Sequence, residues 1–298
     1  MLAVWSDRLF MGAIVVYVLA IVLHAMEIAA LRSAAKPALV GAGAPVEEPA
    51  GERPRGERYG RMAVSVTLLG ALLHVGSIVA RGLAAERWPL GNMYEFSSAI
   101  CAAAVVTWLV VLRRAAHDGV RAVGPFVLLP VVALMFIGLR VLYAEAAPVQ
   151  PALQSYWLVV HVTTISISSG LLLVSGVASV LYLLRRAGRL DRLPGADAMD
   201  RLAYRVAIVA FPLFTFAVIT GAVWAEAAWG RFWGWDPKET VAFVSWVVYA
   251  AYLHARATAG WRTERAAWIN IAGFATVLFN LFFINMVVAG LHSYAGLG

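Results

Sequence analysis

Cysteine is nearly absent from this chain: Cys101 is the only one in 298 residues. One cysteine excludes an internal disulfide and any cysteine-built metal site. Inside an apolar run it reads as a buried packing thiol. Charge is scarce as well. Asp, Glu, Lys and Arg make up 14% of the chain and apolar residues 62%, against about 25% and about 45–50% in soluble domains. No sequence repeat is found. The basic residues never form a stripe interleaved with aromatics, so the net charge of +7 does not describe a nucleic-acid surface, and no nucleic-acid partner is expected.

What the chain has instead is long apolar blocks, and blocks of about 20 residues are membrane spans. Eight are read, at 9–31, 61–80, 96–112, 123–142, 157–184, 204–225, 240–257 and 268–290. They leave no room for a large soluble domain. The expected fold class is all-α, a polytopic transmembrane helical bundle of about eight spans. The first block is too long for the apolar region of a signal peptide, and "MLAVWSDR" sets one Arg against one Asp, so it reads as a retained helix. Three regions follow: a first transmembrane helix at 1–32, a flexible cytoplasmic linker at 33–60 rich in Pro, Gly, Ala and charge, and a seven-span core at 61–298.

Cytoplasmic loops collect Lys and Arg. Eighteen of the 24 basic residues fall on one set of alternate loops, at 32–61, 113–121, 185–205 and 256–265. Both termini are therefore expected on the extracytoplasmic side. So are the segments "RWPLGNMYEF" (87–96), "SYWLVVH" (155–161), the Trp-rich loop within 224–239, and the tail "GLHSYAGLG" (290–298).

The Trp-rich loop, "WGRFWGWDPKE", places Trp229, Phe232, Trp233 and Trp235 in seven residues and then turns to charge. An aromatic belt at the membrane interface explains where these residues are but not how dense they are. "DPKE" also reads as a helix start, with Asp236 as N-cap, Pro237 at the first helical position and Glu239 completing a capping box. Gly230 and Gly234 allow close backbone approach to a ligand. Arg231 and Lys238 add positive charge, and the helix dipole adds more. The ligand suited to this platform is large, flat, apolar and edged with carboxylates, and haem meets that description.

Haem iron takes axial ligands, most often imidazole. Of the six histidines, His161 lies about one turn inside the outer end of the fifth span and His292 just past the eighth. Both are at the depth of the Trp-rich loop. His254 lies near the cytoplasmic end of the seventh span, on one helical face with Glu239, Phe243, Trp246 and Ala250. That face can guide haem across the membrane or serve ordinary helix packing. His24 and His74 sit deep in their spans with no assigned role, and His117 reads as a solvated loop residue. Asn92 and Glu95 read as helix capping and loop anchoring. Arg140 can pair with a propionate or snorkel to the interface.

These residues together resemble a known family. "WGRFWGWDPKET" is similar to the Trp-rich "WWD" signature of membrane haem-handling proteins of cytochrome c biogenesis. "RWPLGNMYEF", His161 in "SYWLVVHV" and His292 in "GLHSYAG" narrow the resemblance to the System II (CcsA/ResC-like) branch. It runs from about residue 60 to the C-terminus. Phe232 departs from it, standing where the family usually has Trp.

The resemblance implies that the Trp-rich loop, with Asp236, cradles haem b at the extracytoplasmic face of the cell membrane, and that His161 and His292 are its axial ligands. His254 matches an intramembrane histidine that binds haem in transit. The opposing ligand there comes from a second membrane subunit of the CcsB/ResB type. Together the two subunits form a holocytochrome c synthase (haem lyase), which joins haem vinyls to the Cys-x-x-Cys-His thiols of apocytochrome c. The thiols must arrive reduced, which calls for a separate thioredoxin-like partner. Two other functions remain open on sequence grounds: a haem exporter or chaperone without ligation activity, and a membrane b-type electron-transfer cytochrome.

Overall fold

The computed structural model describes residues 1–34, 55–114, 120–149, 153–190, 193–261 and 264–292. Among these residues all regular structure is helical, which is how a single segment satisfies its own backbone groups in hydrocarbon. The long helices are α1 (Leu2–Ala34), α2 (Arg55–Ala85), α3 (Met93–Arg114), α4 (Gly124–Arg140), α5 (Tyr156–Arg186), α6 (Ala196–Trp229), α7 (Pro237–Ala257) and α8 (Glu264–Phe279). A 3₁₀ turn at Val120–Val123 leads into α4. From α8 the chain runs on through a π-helical turn at Asn280–Ile284 into Asn285–Val287.

Among the described residues, seven helices are long and apolar enough to cross a membrane. The exception is α7, the expected seventh span. Its 21 residues extend about 31 Å at about 1.5 Å per residue, enough for a hydrocarbon core of about 30 Å. Its apolarity is lowered by Lys238, Glu239, Thr240, Ser245, Tyr249, Tyr252, His254 and Arg256. One boundary also differs from expectation: α2 begins at Arg55, so residues 55–60 are helical where the linker was read. The remainder of that linker from residue 35, and His117, lie outside the described residues.

Neighbouring helices run antiparallel. Ser6 Oγ donates to the Ser77 carbonyl at 2.9 Å, while Tyr17 meets His74 at 3.5 Å. On the other pair, Ser175 Oγ donates to the Ala203 carbonyl at 2.8 Å, while His161 meets Ala217 at 2.7 Å. Helix α5 is shared between two cores. Leu173 and Val174 pack with Tyr17, Tyr94 and Trp108 of the first helices. Leu172 packs with Phe214, Tyr249 and Tyr252 of the later ones. Buried Asn270 of α8 donates to Ser175 Oγ at 2.8 Å and Ser179 Oγ at 2.7 Å, the kind of interhelical polar contact that registers membrane helices.

Ion pairs gather at the two ends of the bundle. At one end Arg121 pairs with Glu27, Arg256 with Asp200 and Arg186 with Glu264. At the other, Arg81 and Arg87 both reach Glu95 at 2.8 Å. This second end also holds the Trp-rich loop.

Candidate functional site

The Trp-rich loop is shaped by its boundaries. Helix α6 stops at Gly230, whose φ of 70° is left-handed and whose N–H reaches the Glu226 carbonyl at 2.8 Å; glycine is the residue that adopts this cap without strain. The chain then reverses through Trp235, which holds a positive φ of 57° without being glycine, a strained conformation that surrounding contacts must enforce. Helix α7 starts as expected. Asp236 Oδ2 accepts from the Lys238 N–H at 3.1 Å, and Glu239 Oε2 accepts from the Asp236 N–H at 3.1 Å, closing the capping box behind Pro237.

Between α3, α5, α6, α7 and α8, at the Trp-rich end, lies a cavity of ≈ 1260 Å³, its open mouth included. Its walls include Trp224, Trp229, Phe232 and Trp233, and small residues such as Ser169, Gly221 and Ala242 lie deeper. Lys238 is the one Lys or Arg among the described lining residues. Its Nζ donates to Asn285 Oδ1 at 2.6 Å and stands 5.8 Å from the Phe96 ring centre. The π-helical turn supports this contact, because Asn285 Nδ2 in turn donates to the Asn280 and Leu281 carbonyls at 3.2 and 2.7 Å.

His161 and His292 both line this cavity. His161 Nδ1 lies 2.7 Å from the Ala217 carbonyl. Its ring is parallel to Trp224, with centres 6.2 Å apart and planes at 7°. His292 Nδ1 lies 2.9 Å from Asp236 Oδ2. Its ring meets Trp224 at 5.7 Å and Trp229 at 5.1 Å, edge to face. A carbonyl and a carboxylate only accept, so each Nδ1 carries the proton and each Nε2 keeps its lone pair. That is the tautomer a metal-binding imidazole needs.

Electrostatics hold this state at His292. Burial lowers its pKa below the ordinary histidine value, outweighing the hydrogen bond to Asp236, which raises it. Burial alone would raise the pKa of Asp236. Its bonds from His292 and from the Leu291 and Lys238 N–H groups prevail and hold it at about 2. At neutral pH Asp236 is ionised and His292 is a neutral donor. Two such imidazoles, flat apolar walls and one cation suit a planar iron complex edged with carboxylates.

The structure brings His161, His292, Trp229, Phe232, Trp233 and Lys238 to one cavity. Four expected contributors do not line it. Trp235 is 65% exposed and packs against Trp233 and Phe243 outside the wall. Arg231 lies 3.7 Å from Glu239. Asp236 sits behind His292. His254 is exposed at the opposite end of α7, away from the cavity. The strip leading towards it is partly aromatic, with Phe243 stacked on Trp246 at 6.2 Å. His24 and His74 are buried core residues, held near Glu27 and by Ser98 respectively.

Sequence reasoning missed Trp224, which is 2% exposed and touches both histidines. It foresaw Glu95 as an anchor of its loop but missed the partners: the carboxylate accepts from Arg81, Arg87 and the Gly91 N–H and so fixes the loop at the cavity rim. The density of tryptophan beginning at position 224 was the available signal for the first.

Fold and site define a multi-pass helical membrane protein with two imidazoles and an aromatic loop around one cavity. Residues 90–292 match the family described as Cytochrome C assembly protein, and the chain belongs to that family. It is 34% identical over 263 residues to the cytochrome c biogenesis protein CcsA of Synechococcus sp. (strain RCC307), covering 78% of this chain and 85% of that one. It is 42% identical over 154 residues to the protein of that name from Chlamydomonas reinhardtii, covering 50% of this chain and 44% of that one. Among solved structures, "Cytochrome c Heme Lyase CcmF" superimposes with a TM-score of 0.67 at 15% identity, over 94% of this chain and 47% of the other. The chain spans about half of that structure, and the likeness is one of fold.

Proposed function

We propose that the chain is the haem-handling membrane subunit of a cytochrome c synthase, which presents haem b at the extracytoplasmic face of the cell membrane for attachment to apocytochrome c. The observation that carries this reading is the pair of Nδ1 hydrogen bonds, His161 to Ala217 and His292 to Asp236, which leave two ligand nitrogens on one aromatic cavity. Lys238 neutralises a propionate, and Trp224, Trp229, Phe232 and Trp233 supply the flat walls. His254 receives haem during its passage, with a CcsB/ResB-type subunit giving the opposing ligand.

In the reaction each acceptor thiol adds across a vinyl group: sulfur bonds to one carbon and the proton ends on the other, so no electrons are exchanged. The chain contributes position. Fixing the vinyls against two thiols turns an encounter into a near-unimolecular step. Cys101 is buried and takes no part, so the thiols are kept reduced by a thioredoxin-like partner.

The test is the haem content and absorption spectrum of the purified chain, followed by reaction with the partner subunit and reduced apocytochrome. A low-spin bis-imidazole spectrum lost in His161→Ala/His292→Ala, together with covalent haem on the acceptor, is the expected result. Bound haem without covalent product would leave a haem exporter. An unchanged spectrum in the double variant would falsify the ligand assignment.

A further inference from the structure

The acceptors behind the two imidazoles differ in charge. His161 Nδ1 faces a neutral oxygen, the Ala217 carbonyl, which also accepts from Thr220 Oγ1 at 3.1 Å. His292 Nδ1 faces the Asp236 carboxylate, and that carboxylate is fixed. Its side chain is 4% exposed. Oδ1 accepts from the Leu291 N–H at 2.7 Å and Oδ2 from the Lys238 N–H at 3.1 Å. The backbone before His292 lies directly on it, since a Cβ at Gly290 would stand 2.7 Å from Asp236 Oδ1. One ligand is therefore backed by a rigid anion, the other by a shared neutral carbonyl.

We propose that Asp236 is a positioning residue that makes the two axial ligands unequal, with His292 the anchor and His161 the ligand that yields to an incoming imidazole. This rests on the haem-site reading above. A hydrogen bond to an ionised acceptor is about twice as strong as a neutral one. An anion on the far nitrogen also makes the imidazole a better donor and fixes its orientation. The stronger donor favours ferric over ferrous iron. Attachment requires one protein ligand to give way to the histidine of the acceptor motif, and the inequality decides which one.

The experiment loads the detergent-solubilised full chain with haem b and measures its midpoint potential and its haem dissociation rate. Asp236→Asn keeps an N-cap and removes the charge. The expected result is a retained low-spin spectrum with a higher potential, a tenfold loss of ferric preference reading as about 59 mV for one electron. In a His292→Gly background the same substitution moves nothing. His292→Gly also releases haem about tenfold faster than His161→Gly, within the range seen when outer-shell support is lost.

An unmoved potential overturns the inference and leaves the haem reading standing. An equal shift in the His292→Gly background overturns it too, as does release from His161→Gly that is as fast or faster. Absence of any low-spin haem in the native chain defeats the haem reading, and the inference with it.

Discussion

Gly221 lies so close to the His161 ring that a Cβ on it would stand 2.7 Å from Cε1 and 2.8 Å from Nδ1. A helical Gly→Ala change ordinarily stabilises by about 1 kcal/mol. Here the methyl group must push the ring off the Ala217 carbonyl, losing a bond worth about 1 kcal/mol. Gly221→Ala is expected to leave the melting temperature flat or lowered and to weaken haem binding about tenfold, as loss of ligand support does elsewhere. Thermal unfolding and haem titration read the two effects separately. A raised melting temperature with native affinity would refute the contact.

Glu95 anchors the rim of the cavity. Its side chain is 1% exposed and serves both Arg81 and Arg87. Glu95→Ala takes the carboxylate from Arg87 and leaves Arg81 only the carboxylate of Asp7, 3.8 Å away, and breaking a buried pair costs about 3–5 kcal/mol. Thermal unfolding of the solubilised chain is expected to show that loss, with Glu95→Gln milder because it keeps an acceptor. A melting temperature within error of native would remove Glu95 from this role.

The sequence made local features legible. The Asp236 cap, Pro237 and Glu239 lie within four residues, so their pattern states its own geometry. The common depth of His161 and His292 followed from counting spans and basic loops. What escaped was non-local or carried by backbone. Asp236 meets His292 across 56 positions, and the partner of His161 is a main-chain carbonyl with no sequence signature. Trp235 stands outside the cavity wall, exposed and with a left-handed φ, which composition does not encode. Glu95 could be placed at the end of a helix, but its partners come from α2 and the following loop.

Lys238 gives the cavity a test of ligand chemistry. Hydrogen bonds to charged groups are worth about 1.5–3 kcal/mol, or about 10–100-fold in affinity. The native chain is expected to prefer haem over its dimethyl ester by about that factor, and Lys238→Gln to bind both alike. Competitive titration with the two porphyrins measures it. Equal binding by the native chain would show that Lys238 meets no propionate.

Cys101 is expected to be dispensable. It is buried, with Sγ 3.7 Å from the Val131 carbonyl. Cys101→Ala should cost stability of about 1 kcal/mol, as small core truncations do, and leave haem attachment intact in the reconstituted reaction. Loss of covalent product with haem still bound would give the thiol a chemical role that the structure does not.

A substitution at His254 tests whether haem passage and haem presentation use separate residues. It lies near the end of α7 opposite His292, some 16 positions from Lys238, or about 24 Å along the helix at about 1.5 Å per residue. A substitution there does not touch the Ala217 or Asp236 contacts. His254→Ala is therefore expected to purify from cells with less haem, yet to give the native low-spin spectrum when haem is added to the isolated chain. His161→Ala should fail in both preparations. If added haem also fails in His254→Ala, the stable site lies within the membrane and the cavity at the Trp-rich end is secondary to it.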